Sequence, residues 1–182
     1  MDIKNRILAK LLLLFFLSGS PLLRLHAQTT VAGPDSTYRT PERLFHIARS
    51  LNRNLVCYDI NLSNGQLNPK EPVKVYWVNR EKEPGKSNGL SFIEKKMAYG
   101  YKVVSMEGQT CTITLTAYPK KELTISREGN RHVCHAKIND RPALLQSLYV
   151  KASPNNPLHV EYVELRGITV DTGTAVTEKV RK

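Results

Sequence analysis

The chain has 182 residues, a formal net charge of +11 and three cysteines. That length suits one domain with a single core, and three cysteines permit at most one bridge, which excludes a disulfide framework. The basic excess favours acidic partners.

Residues 1–27 read as an export signal. Lys4, Arg6 and Lys10 form a basic start, Leu11–Leu17 is an uninterrupted apolar run, and Ala27 precedes Gln28 as a cleavage site requires. The run falls short of the roughly 20 residues that span a bilayer, and no cysteine follows it to take a lipid anchor. The expected location is periplasmic or extracellular, with no transmembrane segment in the mature chain. The leader's four basic residues outweigh Asp2 by three charges, so the remaining 155 residues carry +8. Anionic glycans, lipid headgroups or an envelope protein are the expected partners, and nucleic acid is not, because an exported protein rarely meets it. The basic residues are dispersed, with Lys95-Lys96, Lys120-Lys121 and the tail Lys179, Arg181, Lys182 as the only small groups, so a solvated basic surface is the plain alternative.

Residues 28–42 read as a flexible polar lead, 43–174 as a β-rich domain and 175–182 as a frayed basic tail. Leu44–Arg49 admits either a helix started by Thr40-Pro41 or a strand alternating at Phe45, Ile47 and Arg49. Asn54–Ile60 reads as a central strand. Val73, Val75 and Trp77 alternate with Lys74 and Tyr76, as in a half-buried strand. One helix interrupts the series: Ser91 and Glu94 have capping-box spacing, Ile93 and Met97 lie four apart, and Gly100 is positioned for a left-handed stop.

Two hairpins follow. A three-residue loop Glu107-Gly108-Gln109 would set Tyr101, Val103 and Ser105 opposite Leu115, Ile113 and Cys111. A two-residue Gly129-Asn130 turn would pair Glu128 with Arg131, Arg127 with His132, Ile125 with Cys134 and Leu123 with Ala136, placing the apolar residues on one face. Leu144–Val150, Leu158–Leu165 and Ile168–Val170 supply further strands, the first two joined by a rigid Ser153-Pro154-Asn155-Asn156-Pro157 loop. The expected fold is a single all-β domain, an antiparallel β-sandwich of about eight strands with one short helix.

Chemistry is faintly marked. His132-Val133-Cys134-His135 holds metal-ligand side chains, but on a strand His132 and Cys134 share one face and His135 the other, half a site at best. There is no nucleophile elbow, no marked pair of carboxylates and no phosphate-binding loop. No metal and no cofactor is expected. Thr110, Thr112, Thr114 and Thr116 alternate as a solvated strand face would. Aromatic and amide groups remain: Arg49, Asn52, Tyr58, Asp59, Asn61, Tyr76 and Tyr99 are the candidate ligand-binding residues of a polar–aromatic surface. The competing account is architectural. Asn52 and Asn61 would satisfy turns, Arg49 and Asp59 would pair across a hairpin, and the tyrosines would close the core edge.

Across Arg49-Ser50-x-Asn52-x-Asn54-x-Val56-x-Tyr58-Asp59-x-Asn61, Val75-Tyr76-Trp77 and the segment ending Tyr99-Gly100, the chain resembles a family of secreted Bacteroidota-type proteins known as domain of unknown function 4833. The resemblance covers roughly residues 43–165. It implies an exported, compact β-rich domain with Leu44–Arg49 as a strand turning at Ser50–Arg53, and no assigned activity or ligand residues. The preferred function is a non-catalytic envelope binding or structural module for a glycan, lipid or protein partner. The alternative is a small envelope hydrolase whose site is assembled only in space.

Overall fold

The computed structural model describes residues 40–181. The export signal, most of the polar lead and Lys182 lie outside the described residues. In chain order the elements are β1 (Arg43–Arg49), β2 (Asn52–Ile60), β3 (Leu62–Ser63), β4 (Gln66–Leu67), β5 (Val73–Val78), β6 (Ser87–Gly89), a helix that starts as α1 (Phe92–Glu94) and widens into a π-turn over Lys95–Tyr99, β7 (Tyr101–Glu107), β8 (Thr110–Leu115), β9 (Tyr118–Glu128), β10 (Arg131–Ile138), β11 (Arg141–Ser153), β12 (Asn156–Thr169) and β13 (Ala175–Arg181).

The domain is all-β with one short helix. Its strands number thirteen among the described residues, more than the eight expected, and eleven of them belong to one sheet. The sheet forks at β11. Residues 141–144 of that strand pair antiparallel with β10, residues 147–150 pair parallel with β1, and its other edge carries β12. One wing continues β1-β2-β5-β6, the other β10-β9-β8-β7, and β12-β13 extends the base. The wings curl over one core. Phe45, Val56 and Tyr58 from the first meet Ile113, Ile125 and Cys134 from the second, with Leu148 and Leu165 beneath. Burying such side chains contributes about 1.5–3 kcal/mol each. Polar contacts also cross the gap: the Tyr101 phenol donates to the Val73 carbonyl at 2.9 Å and accepts from the Val73 amide at 3.1 Å.

The hairpin at Gly129-Asn130 has the expected register, with Glu128 opposite Arg131, Arg127 opposite His132 and Ile125 opposite Cys134. Gly129 takes φ +61°, conformational space that glycine enters freely. The Glu128 carboxylate reaches past Arg131 to His135, 3.0 Å away. The preceding hairpin keeps the expected pairs Tyr101 with Leu115 and Val103 with Ile113 and differs nearer its tip. Glu107 pairs with Thr110, so its loop has two residues, and an irregularity between Val103 and Ser105 shifts Ser105 onto Thr112 and Met106 onto Cys111. A bulge absorbs the extra residue that a three-residue loop would have placed at the tip.

Three further expectations change. Leu158–Leu165 and Ile168–Val170 are not separate strands, because β12 runs unbroken through Gly167. A Cβ there would lie 2.6 Å from the Leu144 carbonyl oxygen, so this glycine permits close strand approach and marks no break. The loop after Ser153 is shorter, since Ser153 already pairs with Asn156. Residues 175–181 are no frayed tail: β13 pairs along β12 from Ala175 to Arg181. Val176 and Val180 pack against the core, and Glu178 meets Lys121 of β9 at 2.6 Å.

Candidate functional site

The seven candidate residues fall into three settings. On the outward face of β2, Asp59 accepts from the Arg43 guanidinium and from the Tyr76 phenol, and Arg43 also donates to the Tyr76 oxygen at 3.2 Å. Burial, followed by the hydrogen bond to Asp59, pushes the Tyr76 pKa up to about 12. Asp59 therefore pairs with Arg43, not Arg49. The β1–β2 register sets Arg43 opposite Asp59 and Arg49 opposite Asn52. Leu55, Cys57 and Val78 form a small second core on the same wing.

The second setting lies between sheet and helix. Tyr58 is fully buried, stacks on Phe45 with centroids 4.4 Å apart and donates its hydroxyl to the Tyr99 carbonyl at 2.7 Å. Burial drives its pKa far above the usual phenol range. The Tyr99 ring meets Trp77 edge-on at 5.2 Å, and its hydroxyl accepts from Arg49 at 3.1 Å. Arg49 spends another N–H on the Pro157 carbonyl at 2.8 Å. The Trp77 indole donates to Glu94 at 3.0 Å, while the Glu94 carboxylate also accepts from the Ser91 amide and hydroxyl, closing the expected capping box. These hydrogen bonds hold the Glu94 carboxyl below its ordinary pKa.

The third setting is turns. Asn52 accepts from the Asn54 amide at 2.9 Å, and the Asn61 side chain donates to the Glu71 carbonyl at 2.7 Å, bracing the 61–72 segment. The structure thus brings Arg49, Tyr58 and Tyr99 together, brings Asp59 and Tyr76 together elsewhere, and leaves Asn52 and Asn61 to local backbone.

What the second network holds in place is the helix. Gly100 ends it in extended backbone (φ −67°), so the expected left-handed stop does not form. The residue's smallness serves another purpose: its amide donates to the Lys95 carbonyl at 3.0 Å, and a Cβ would stand 2.0 Å from that oxygen. Ile93 and Met97 make no buried stripe. Phe92, Ile93 and Met97 are 76 %, 71 % and 70 % exposed. An eight-residue helix fastened at Glu94 and Tyr99 turns this side outward.

Beside the helix opens a cavity of about 550 Å³ between it, the approach to β5 and the start of β7. Val75, Gly100, Tyr101 and Thr116 line it alongside Phe92 and Val103. Its charged lining is Lys70, Lys95, Lys96 and Lys102 against Glu71, all solvent-exposed. The Tyr101 phenol is committed to both backbone groups of Val73, and burial pushes its pKa up to about 12. The cavity is therefore bordered by four lysines around a partly apolar floor. Sequence reasoning registered Lys95-Lys96 as one small basic group but missed its convergence with Lys70 and Lys102. That convergence follows from tertiary placement of three segments and has no local signature.

The family's sequence profile matches residues 45–179. The chain belongs to the family described as domain of unknown function 4833. It matches no curated protein and no solved structure. The matched span contains the seat of the helix and all four cavity lysines.

All three cysteines are buried, and burial raises the Cys134 thiol pKa far above the usual thiol range. His132 is buried 3.4 Å from the Gln109 amide oxygen, its pKa lowered by burial and by Arg127. Among the described residues, no group of three His, Cys, Asp or Glu could hold a metal ion, and no helix is long and apolar enough to cross a membrane.

Proposed function

We propose that this domain is an exported, non-catalytic binding module of the cell envelope, and that it grips an anionic group of its partner in the lysine-lined cavity beside the helix. The observation that carries this reading is the meeting of Lys70, Lys95, Lys96 and Lys102 around one cavity of about 550 Å³ with Glu71 as the only acidic lining residue. Four lysines lining one concave surface raise its positive potential, which favours phosphate, sulfate or carboxylate over neutral ligands. Arg49, Tyr58 and Tyr99 have a supporting part here, holding the helix so that the lysines converge. Export rests on the leader at residues 1–27.

Trp77, the single tryptophan, is hydrogen-bonded to Glu94 of the helix that borders the cavity, and its fluorescence serves as the probe of binding there. Titration with a sulfated oligosaccharide and with glycerol phosphate is expected to change that signal. The affinity should fall as salt rises from about 10 mM to about 100 mM and the screening length shrinks from about 30 Å to about 10 Å. Lys70→Gln with Lys102→Gln should weaken it further. Affinity indifferent to salt and to both substitutions would overturn the reading, and turnover of either probe would favour the hydrolase.

A further inference from the structure

We infer that the anionic group belongs to a phospholipid bilayer, and that the helix is the protein's docking element for that surface. This rests on the cavity being an anion site and adds the identity of what supplies the anion.

The outward side of the helix carries the argument. Phe92, Ile93 and Met97 are each at least 70 % exposed, on a segment whose other side is fastened by Trp77, Tyr58 and Arg49. Val103 and Val104 of β7 add partly exposed apolar surface at 44 % and 53 %. Phe92 and Val103 both line the cavity, so the apolar set reaches its mouth from two elements. A soluble anionic sugar would need the lysines and would gain nothing from three protruding apolar side chains. A bilayer needs both: apolar groups enter the boundary between headgroups and acyl chains, while lysines remain among the phosphates.

The cations stand where that division requires them. The Lys96 ammonium lies 5.8 Å from the Phe92 ring centroid, and Lys95 shares the same turn of helix. Lysine stems can follow a ring into the interface while their charged ends stay hydrated. The four cavity lysines against one glutamate set the complementary lipid as anionic. The rigid seat also matters, because a helix already fastened at Glu94 and Tyr99 has little backbone freedom left to lose on insertion.

The test is flotation of the protein, purified from cells that export it, with two kinds of vesicle: phosphatidylcholine alone, and equal parts phosphatidylcholine and phosphatidylglycerol. Binding to the mixed vesicles should exceed binding to the neutral ones by at least about tenfold. The double variant I93S/M97S, at two exposed positions that do not line the cavity, should keep its thermal melting and its glycerol phosphate titration while losing roughly tenfold or more in vesicle affinity. Full vesicle binding by this variant, or no vesicle binding by a protein that still titrates with soluble anions, would overturn the membrane assignment and leave the anion site standing. Binding of a poly-glutamate peptide by the parent protein that I93S/M97S loses, without vesicle binding by either, would overturn the membrane assignment in favour of a protein partner. Absence of binding to vesicles and soluble anions alike would overturn both.

Discussion

The two sides of one short helix obey opposite rules. On the sheet side every polar group near Tyr99 is spoken for: Tyr58 donates to its carbonyl, Arg49 to its hydroxyl, and Trp77 to the capping carboxylate of Glu94. On the outer side, three large apolar residues and two lysines face water with little holding them to the fold. Stability selects the first arrangement, since a buried polar group without a partner costs about 1–3 kcal/mol. It cannot account for the second. The difference separates scaffold from surface within eight residues, and it can be broken by substitutions on either side.

The largest effect is expected at Tyr58. Tyr58→Ala removes a fully buried ring stacked on Phe45 and should cost about 3–5 kcal/mol by denaturant unfolding. Tyr58→Phe, which loses only the hydrogen bond to Tyr99, should cost about 1–2 kcal/mol. At the helix end, Gly100→Ala forces a Cβ against the Lys95 carbonyl oxygen and should cost about 1–3 kcal/mol, whereas Gly89→Ala, with open space around it, should change stability little. Phe92→Ser on the outer side should stay within about 0.5 kcal/mol. A large loss from Phe92→Ser, or none from Tyr58→Ala, would erase the distinction between the two sides.

Alkaline pH gives a finer probe. The folded pKa values of Tyr76 and Tyr101 are raised to about 12 from 10.0, so the folded state holds these protons more tightly than the unfolded chain. Their stabilising contribution is complete below pH 10 and is lost as pH rises through about 12. Thermal melting followed across that window should fall, and Tyr76→Phe should flatten part of the decline. An unchanged slope in that variant would show that the Asp59–Tyr76 contact does not link proton binding to folding. Smallest of all, native labelling of Cys57, Cys111 and Cys134 with a thiol reagent should be slow, because all three are buried, and complete once the chain is unfolded.

Much of the fold was legible where local chemistry dictates geometry. Gly129-Asn130 fixes its hairpin because the turn accepts positive φ and a one-residue slip would turn Ile125 and Cys134 outward. Ser91 and Glu94 announce the helix start for the same reason. The misreadings came where a residue answers to a distant neighbour. The shift after Val103 comes from sheet pairing, and Gly100 and Gly167 are small because carbonyls of Lys95 and Leu144 approach them. β13 escaped notice because only Val176 and Val180 supply its apolar face. The site divided likewise. The sequence groups seven candidates as one surface, and of these only Arg49, Tyr58 and Tyr99 form a single network at the helix, while Asp59 and Tyr76 pair elsewhere and Asn52 and Asn61 serve turns. Lys70 and Lys102 could not be joined to Lys95-Lys96 until the loop before β5 and the strand β7 were placed in space.

The central claim, that the outer side of the helix binds while the inner side supports, is tested most directly by one pair of measurements on a single variant. K95Q/K96Q/K102Q should melt at the temperature of the parent protein, while its affinity for vesicles of equal parts phosphatidylcholine and phosphatidylglycerol falls on the order of a hundredfold. Undiminished vesicle affinity in a variant that melts like its parent would contradict the account.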